Sequence, residues 1–505
     1  MIKLIYRIES DYMSKKRMLI VTSVTLSVVT ISLGIVKLYQ TYALSNYIGT
    51  VTDTGIDVYI NDDSYASIPA NGSSNVYYML TNTNPGTVKY GVAYQTTSGV
   101  TVKVYDTSED PATGTIEEND KKYIKLHLEN KNSTNKTIEL STVLGYENGG
   151  DLVVPSGVTL VTDTYTPPPT AAEYITKLYT TASKTTVTNN SITYNTAPSV
   201  SFMNDRLGGT TTDLDGGNIR YYGASPNNYI YFNCSDYSNQ TSSTCETWRI
   251  IGVFDGKLKL IRGSQIGTYS WDNKDTSTGA ESNFGKNDWT TARLMKLLNP
   301  SDYYTTDSND NNLGQGLYYN SASGKCYSGQ NNATVDCNFT STGIKNDITR
   351  NMIAETTYNL GGWNSNTVYP NLMYEKERGT TVYTGRPTTP WTGKIALAYT
   401  SDYGYAADLN QCKDKTLYDY NNSTCTSNNW MKAIITNNGS NSGWLLTPYC
   451  STSSNVWYVY RVGYVYFNYA VYSAFGAVPV LSLSSELGIE SGGDGSSSNP
   501  YKLSA

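Results

Sequence analysis

The sequence is poor in histidine, in charge and in phenylalanine, and each scarcity narrows what the chain can do. Of 505 residues one is histidine, His127, in the N-terminal third. Acid, base or metal chemistry that depends on imidazole is thereby excluded from everything after it. His127 itself stands in KYIKLHLEN, an alternating run read as a strand, where a structural role is expected. Charged residues make up 16% and the net charge is −6, which leaves no basic field to attract nucleic acid. Cysteines are never spaced CxxC, as zinc and redox sites require. A GxSxG nucleophile elbow is absent. Gly279 to Lys286 has the wrong spacing for a phosphate loop, and Asn287 stands where Ser or Thr would hold magnesium. The expectation is a protein that is not an enzyme, with no cofactor and no metal.

What is present in excess is tyrosine, 46 residues against 7 phenylalanines. Tyrosine combines a large contact area, few rotors and a polar tip, which suits recognition surfaces. Six of the seven cysteines form three close pairs: Cys234 with Cys245, Cys326 with Cys337, and Cys412 with Cys425. Each pair encloses a loop rich in Ser, Asn and Thr. Local disulfides are the natural reading, each worth about 3 kcal/mol by loop entropy. They imply an oxidising compartment. Cys450 is left over.

The length suggests two or three domains. Residues 1–17 end in Lys15-Lys16-Arg17, and 18–36 are uncharged and largely apolar, closed by Lys37. That is about the minimum for a membrane span. The preceding basic residues keep 1–17 cytoplasmic and send the C-terminal region outside the cell. Cleavage after Ala43 would make the segment a signal peptide. Lys37 interrupts the approach to that site and favours an uncleaved single-pass anchor. Residues 45–164 alternate strand-like runs with the breakers NPG, SEDPATG and ENGGD. GIDVYIN, SNVYYMLTN, TVKYGVAYQ, GVTVKVYD, KKYIKLHLEN and KTIELSTVLGY are the candidate strands, and their number and spacing predict an all-β immunoglobulin-like sandwich serving as a stalk. Residues 165–220 read as a linker: three prolines, Pro167 to Pro169, then a short helix through Tyr179 behind a Thr170/Glu173 capping box. Residues 221–505 open with a hairpin, WRIIGVF and KLKLIR around Asp255-Gly256. Helices are predicted over Trp289 to Leu298 and Ile344 to Tyr358.

Val456 to Leu481 organises this last region. Trp457, Val459 and Val465 fall on one side of a pleat, and Tyr458, Tyr460, Tyr464 and Tyr466 on the other. Arg461, Val462 and Gly463 connect the two strands. Phe467, Asn468, Tyr469, Tyr472, Ser473 and Phe475 follow. From Tyr458 to Phe475 every residue is Tyr, Val, Arg, Gly, Phe, Asn, Ala or Ser. That set is what adenine-directed mutagenesis of Asn codons would leave on a Val/Gly scaffold.

The run GWLLTPY (Gly443 to Tyr449), then SNVWYVY, then GAVPVL (Gly476 to Leu481) resembles the C-terminus of variable proteins of bacterial diversity-generating retroelements. The chain departs from them at Val478, where the family often has Arg before Pro. The resemblance covers about Tyr221 to the end. It implies an α+β C-type-lectin-like domain over 221–505, with the variable positions on a ligand-facing surface near the C-terminus. The expected ligand face is Tyr458, Tyr460, Arg461, Tyr464, Tyr466, Phe467, Asn468, Tyr469, Tyr472, Ser473 and Phe475. The expected protein is a membrane-anchored surface receptor or adhesin whose partner is a surface protein or glycan, without nucleic acid. The alternative is a structural cell-surface or wall-associated protein with no specific ligand.

Overall fold

Alternating runs in the first third form strands. In Gly72–Asn82 every second residue from Val76 is buried, because a pleat sends successive side chains to opposite faces. Lys121–Asn130 lies antiparallel beside it, with Val76 opposite Leu126 and Tyr78 opposite Ile124. The computed structural model describes residues 44–504 apart from 53–54, 58–64, 83–85, 146–151, 153, 207–212, 274–283, 306–312, 331, 384–385, 388–389 and 471–472. The expected cytoplasmic segment 1–17 and anchor 18–36 lie outside the described residues. Among the described residues no helix is long and apolar enough to cross a membrane. The chain divides into two compact units, 1–166 and 167–505.

The first unit is two sheets around one core. One sheet runs Thr164–Tyr165, Val100–Tyr105, Lys121–Asn130, Gly72–Asn82, Leu44–Thr52, Gly55–Asp57. The other runs Val158–Leu160, Val88–Gln95, Lys136–Gly145, Tyr65–Ile68, with Thr113–Ile116 also on Val88–Gln95. Tyr78, Leu80 and Leu126 from the first meet Ile68, Tyr90, Val92 and Ile138 from the second. Tyr65–Ile68 and Thr113–Ile116 are only four residues each, and the second begins inside a run read as a turn, so the sequence pattern hid them. His127 is buried, with Nδ1 2.7 Å from Asn75 Oδ1 and its ring stacked on Tyr165 at 3.6 Å. Its role here is packing.

The second unit is also mostly β, with short helices and the three disulfides. Helix Ala171–Thr181 starts at the expected capping box: Thr170 accepts from the Glu173 N–H, and Glu173 accepts from the Thr170 N–H. The residues after it, expected in a linker, instead supply Thr185–Asn189, Ile192–Ala197 and Phe202–Asn204 to a nine-stranded sheet. That sheet continues through Ile219–Tyr221, Glu246–Phe254, Lys257–Arg262, Val480–Ser482 and Ile395–Ala396, with Tyr229–Phe232 paired to Glu246–Phe254. The Asp255-Gly256 turn has positive φ at both residues, as a type I′ hairpin requires. The closing run GAVPVL thus enters the centre of the unit, and Val478 is 3% exposed.

Both long predicted helices are shorter than expected. The first is Arg293–Leu298, because Asp288 binds the Thr290 N–H and hydroxyl and holds the preceding residues in a turn. The second is Asp347–Met352, capped by Asn346. It ends where Ile353 bridges Leu483 and Thr356–Tyr358 pairs with Trp391–Gly393. Ile344 and Met352 are buried but Ile348 is exposed, so the four-residue spacing did not mark one buried helical face. All three cysteine pairs are bonded as the spacing predicted.

Candidate functional site

A second sheet of this unit carries the Val456 to Leu481 stretch. Its order is Thr268–Tyr269, Phe475–Gly476, Gly443–Pro448, Asn455–Val459, Val465–Tyr469. Every residue of Gly443–Pro448 is buried, which makes this strand a fixed base. Asn455–Val459 and Val465–Tyr469 pair antiparallel, with Trp457 opposite Phe467, Tyr458 opposite Tyr466 and Val459 opposite Val465. Arg461, Val462 and Gly463 make the connection, closed by hydrogen bonds from Tyr460 N–H to the Tyr464 carbonyl and from Gly463 N–H to the Tyr460 carbonyl.

The alternation sorts the side chains as the pleat demands. Trp457, Val459 and Val465 are completely buried in one core cluster. Tyr460 and Tyr464 are half-buried, Tyr466 is exposed, and Arg461 and Val462 project at the tip. Tyr458 departs from the expectation. It is 6% exposed and packs on Phe475 at 4.5 Å and Trp444 at 6.1 Å, inside the other core cluster. A sheet covered on both faces near its base has no solvent side at Tyr458, which therefore belongs to the packing, while Phe475 beside it is half-buried against the same cluster. Phe467 falls on the Trp457 side and stacks on Tyr449 at 3.9 Å. Asn468 donates to the Ser473 hydroxyl at 2.9 Å, and Tyr469 stacks on Phe284 at 4.1 Å. Tyr472 lies outside the described residues.

What remains is a connected aromatic surface. Tyr460 stacks on Tyr464 at 4.9 Å. Tyr464 and Tyr466 both meet Tyr418, at 5.6 and 6.2 Å. Tyr466 lies over Phe467 at 4.7 Å. Tyr418, 46% exposed, was not among the expected residues. It sits in the loop closed by Cys412–Cys425, beside the buried Leu417. The sequence offered one faint signal, a Leu-Tyr step inside a disulfide loop. Phe284 and Tyr449 likewise come from outside the hairpin.

The turn is held from behind. The Tyr403 hydroxyl donates to the Gly463 carbonyl at 2.6 Å. Gly463 has φ +112°, and a Cβ there would lie 2.9 Å from Thr426 Cγ2. Asn366 donates to the Val465 carbonyl at 3.3 Å. Upstream, the Asn287 side-chain amide reaches the carbonyls of Tyr449, Thr452 and Asn455 at 2.8–3.0 Å. Such bracing lowers the entropy lost on binding. Electrically the surface is nearly neutral. Burial, with Tyr460 next to it, pushes the Tyr464 phenol above its ordinary range, so it stays protonated and able to donate. Arg461 is the one charged residue between Tyr458 and Phe475, 5.8 Å from the Tyr460 ring. Among the described residues no three His, Cys, Asp or Glu side chains gather where a metal could bind. This arrangement can offer aromatic contact and phenolic hydrogen bonds to a partner. No family model matches the chain, and no curated protein matches it.

Proposed function

We propose that the chain is a membrane-anchored bacterial surface receptor or adhesin that binds a variable ligand through the aromatic tip of its C-terminal hairpin. In this reading the first unit is an immunoglobulin-like stalk and the second a C-type-lectin-like domain of a diversity-generating retroelement. One observation carries it: Trp457, Val459 and Val465 are sealed in the core while Tyr460, Tyr464 and Tyr466 reach solvent from the same hairpin. A hairpin divided in this way can change one set of side chains and keep the other. An exposed group of adjoining aromatics is also unusual for a surface without a partner. The three disulfides fit a domain outside the cell.

The test lies in the DNA beside the gene. The reading requires a near-copy of the segment encoding Val456 to Leu481, differing mainly at adenines, together with a reverse transcriptase. An invariant segment in sister strains, with neither element nearby, would leave a structural surface protein instead. Protease added to intact cells should remove the second unit. Protection until lysis would refute the topology.

A further inference from the structure

The second unit also holds a cleft of about 480 Å³ that shares no residue with the hairpin. Its volume is in the range of small-ligand sites. Tyr229, Thr247, Arg249, Ser264, Ile434 and Asn438 contribute to its walls. Arg249 is the unusual member. It comes from strand Glu246–Phe254, opposite Tyr229 in register, and is only 6% exposed.

Every partner of that guanidinium is neutral. Nε donates to the Asn228 side-chain oxygen, and Nη2 donates to the Pro226 carbonyl at 3.2 Å. The Tyr229 ring lies 3.7 Å away and the Trp430 ring 4.9 Å. Glu246 also lines the cleft, but Arg262 holds both of its oxygens, at 2.9 and 3.2 Å. Those two charges cancel, and Arg249 leaves the wall with one positive charge uncompensated. Burial draws its pKa down to about 10, so it is still charged at neutral pH. Removing a charge from water without an opposite charge is costly. An anion in the cleft would relieve that cost, and a carboxylate matches the planar donor fork. Thr247, Ser264 and Asn438, which carry two hydroxyls and an amide, line the same cleft. They suit a small body rich in hydroxyls.

We propose that this cleft binds a small carboxylated sugar, with the carboxylate on Arg249 and the hydroxyls on Thr247, Ser264 and Asn438. The site is independent of the hairpin reading, because no residue is common to both. Calorimetry on the full chain with D-glucuronate, D-glucose and an acetylated peptide with a free C-terminus tests it. Glucuronate should bind, and glucose at least about tenfold more weakly. Arg249→Gln should weaken glucuronate by about tenfold or more. Asn438 is exposed with φ +53°, a conformation that Asp also tolerates, so Asn438→Asp adds a negative charge without disturbing the backbone. It should weaken glucuronate about tenfold at an unchanged Tm, and it decides the matter if Arg249→Gln does not fold. Equal binding of glucose and glucuronate, no binding of either near 10 mM (about the weakest useful affinity), preference for the peptide, or an indifferent Asn438→Asp variant would each overturn the proposal.

Discussion

Replacing Trp457 and replacing Tyr464 should separate the scaffold of the hairpin from its working surface. Trp457 is completely buried, edge-on to Tyr449 at 5.3 Å and to Phe467 at 5.8 Å. Trp457→Ala removes a large side chain from a closed site, at about 3–5 kcal/mol. In a unit this large each kcal/mol moves Tm by about 2 °C, so the expected fall is about 6–10 °C. Tyr464 is half-buried, and its neighbours are the rings of Tyr460, Tyr418 and Tyr466 at 4.9, 5.6 and 6.2 Å. Packed aromatic pairs contribute about 0.5–1.5 kcal/mol, and solvated ones less. Tyr464→Ser should therefore cost about 1 kcal/mol and shift Tm by about 2 °C. Binding should move the other way, with Tyr464→Ser and Tyr460→Ser losing a ligand found by screening living cell surfaces. Melting by circular dichroism and titration of that ligand are measured on the same full-length variants. If Tyr464→Ser melts as early as Trp457→Ala, the tyrosines are core and the recognition surface is elsewhere.

Gly463→Ala places a Cβ 2.9 Å from Thr426 at φ +112°, and should cost about 1–3 kcal/mol with weaker binding; an unchanged Tm would show that the turn is not fixed from behind. Burial, opposed by the N–H groups of Lys286, Asn273 and Arg293, pushes the Asp272 carboxyl up to about 7. Its stabilising contribution is complete below the unfolded pKa of about 4 and is lost as pH rises toward 7. The second unit should melt higher at pH 5 than at pH 8, and Asp272→Asn should flatten that slope. A slope unaffected by the substitution refutes the assignment. Breaking Cys412–Cys425 by a double Ala substitution frees the loop that carries Tyr418, and should cost about 3 kcal/mol. Its binding defect should be matched by Tyr418→Ser alone, and a fully active double variant would remove Tyr418 from the surface.

How far the sequence revealed this structure depended on how local each determinant was. Strands such as Lys121–Asn130, the Thr170/Glu173 capping box, the Asp255-Gly256 turn and the three cysteine pairs are decided by residues close in the chain, and all are where the pattern put them. The helix over 344–358 is shorter than its pattern because long-range partners, Leu483 and the strand Trp391–Gly393, take over the backbone beyond Met352, whereas the one over 289–298 is shortened by the local turn that Asp288 makes with Thr290. The hairpin and its Trp457, Val459 and Val465 face could be read from alternation. The burial of Tyr458 could not, since it depends on Trp444 and Phe475 arriving from other strands. Tyr418, 46 residues before Tyr464, was out of reach for the same reason.

The burial of Tyr458 bears on how the site could vary. A run whose residue types fit adenine-driven change spans Tyr458 to Phe475, but the structure divides it unequally. Tyr458, inside a core cluster, and the half-buried Phe475, packed against that cluster, both contact Trp444. A small or polar residue at either would leave a cavity or an unpaired group there. Tyr460, Arg461, Tyr464, Tyr466, Asn468 and Tyr469 all reach solvent to some degree. Tyr418 meets two of them from a loop outside the run, so under the proposed function it would stay constant whatever the hairpin presents. A constant aromatic beside changing neighbours would supply part of the contact to every ligand, and the changing residues would set the choice among them. Under the proposed function, sister sequences should therefore vary most at the solvent-reaching positions and keep bulky apolar or aromatic residues at 458 and 475. Polar residues there as common as at 464 would mean that the buried and exposed positions are not distinguished by selection, and the division of labour drawn from the packing would be wrong.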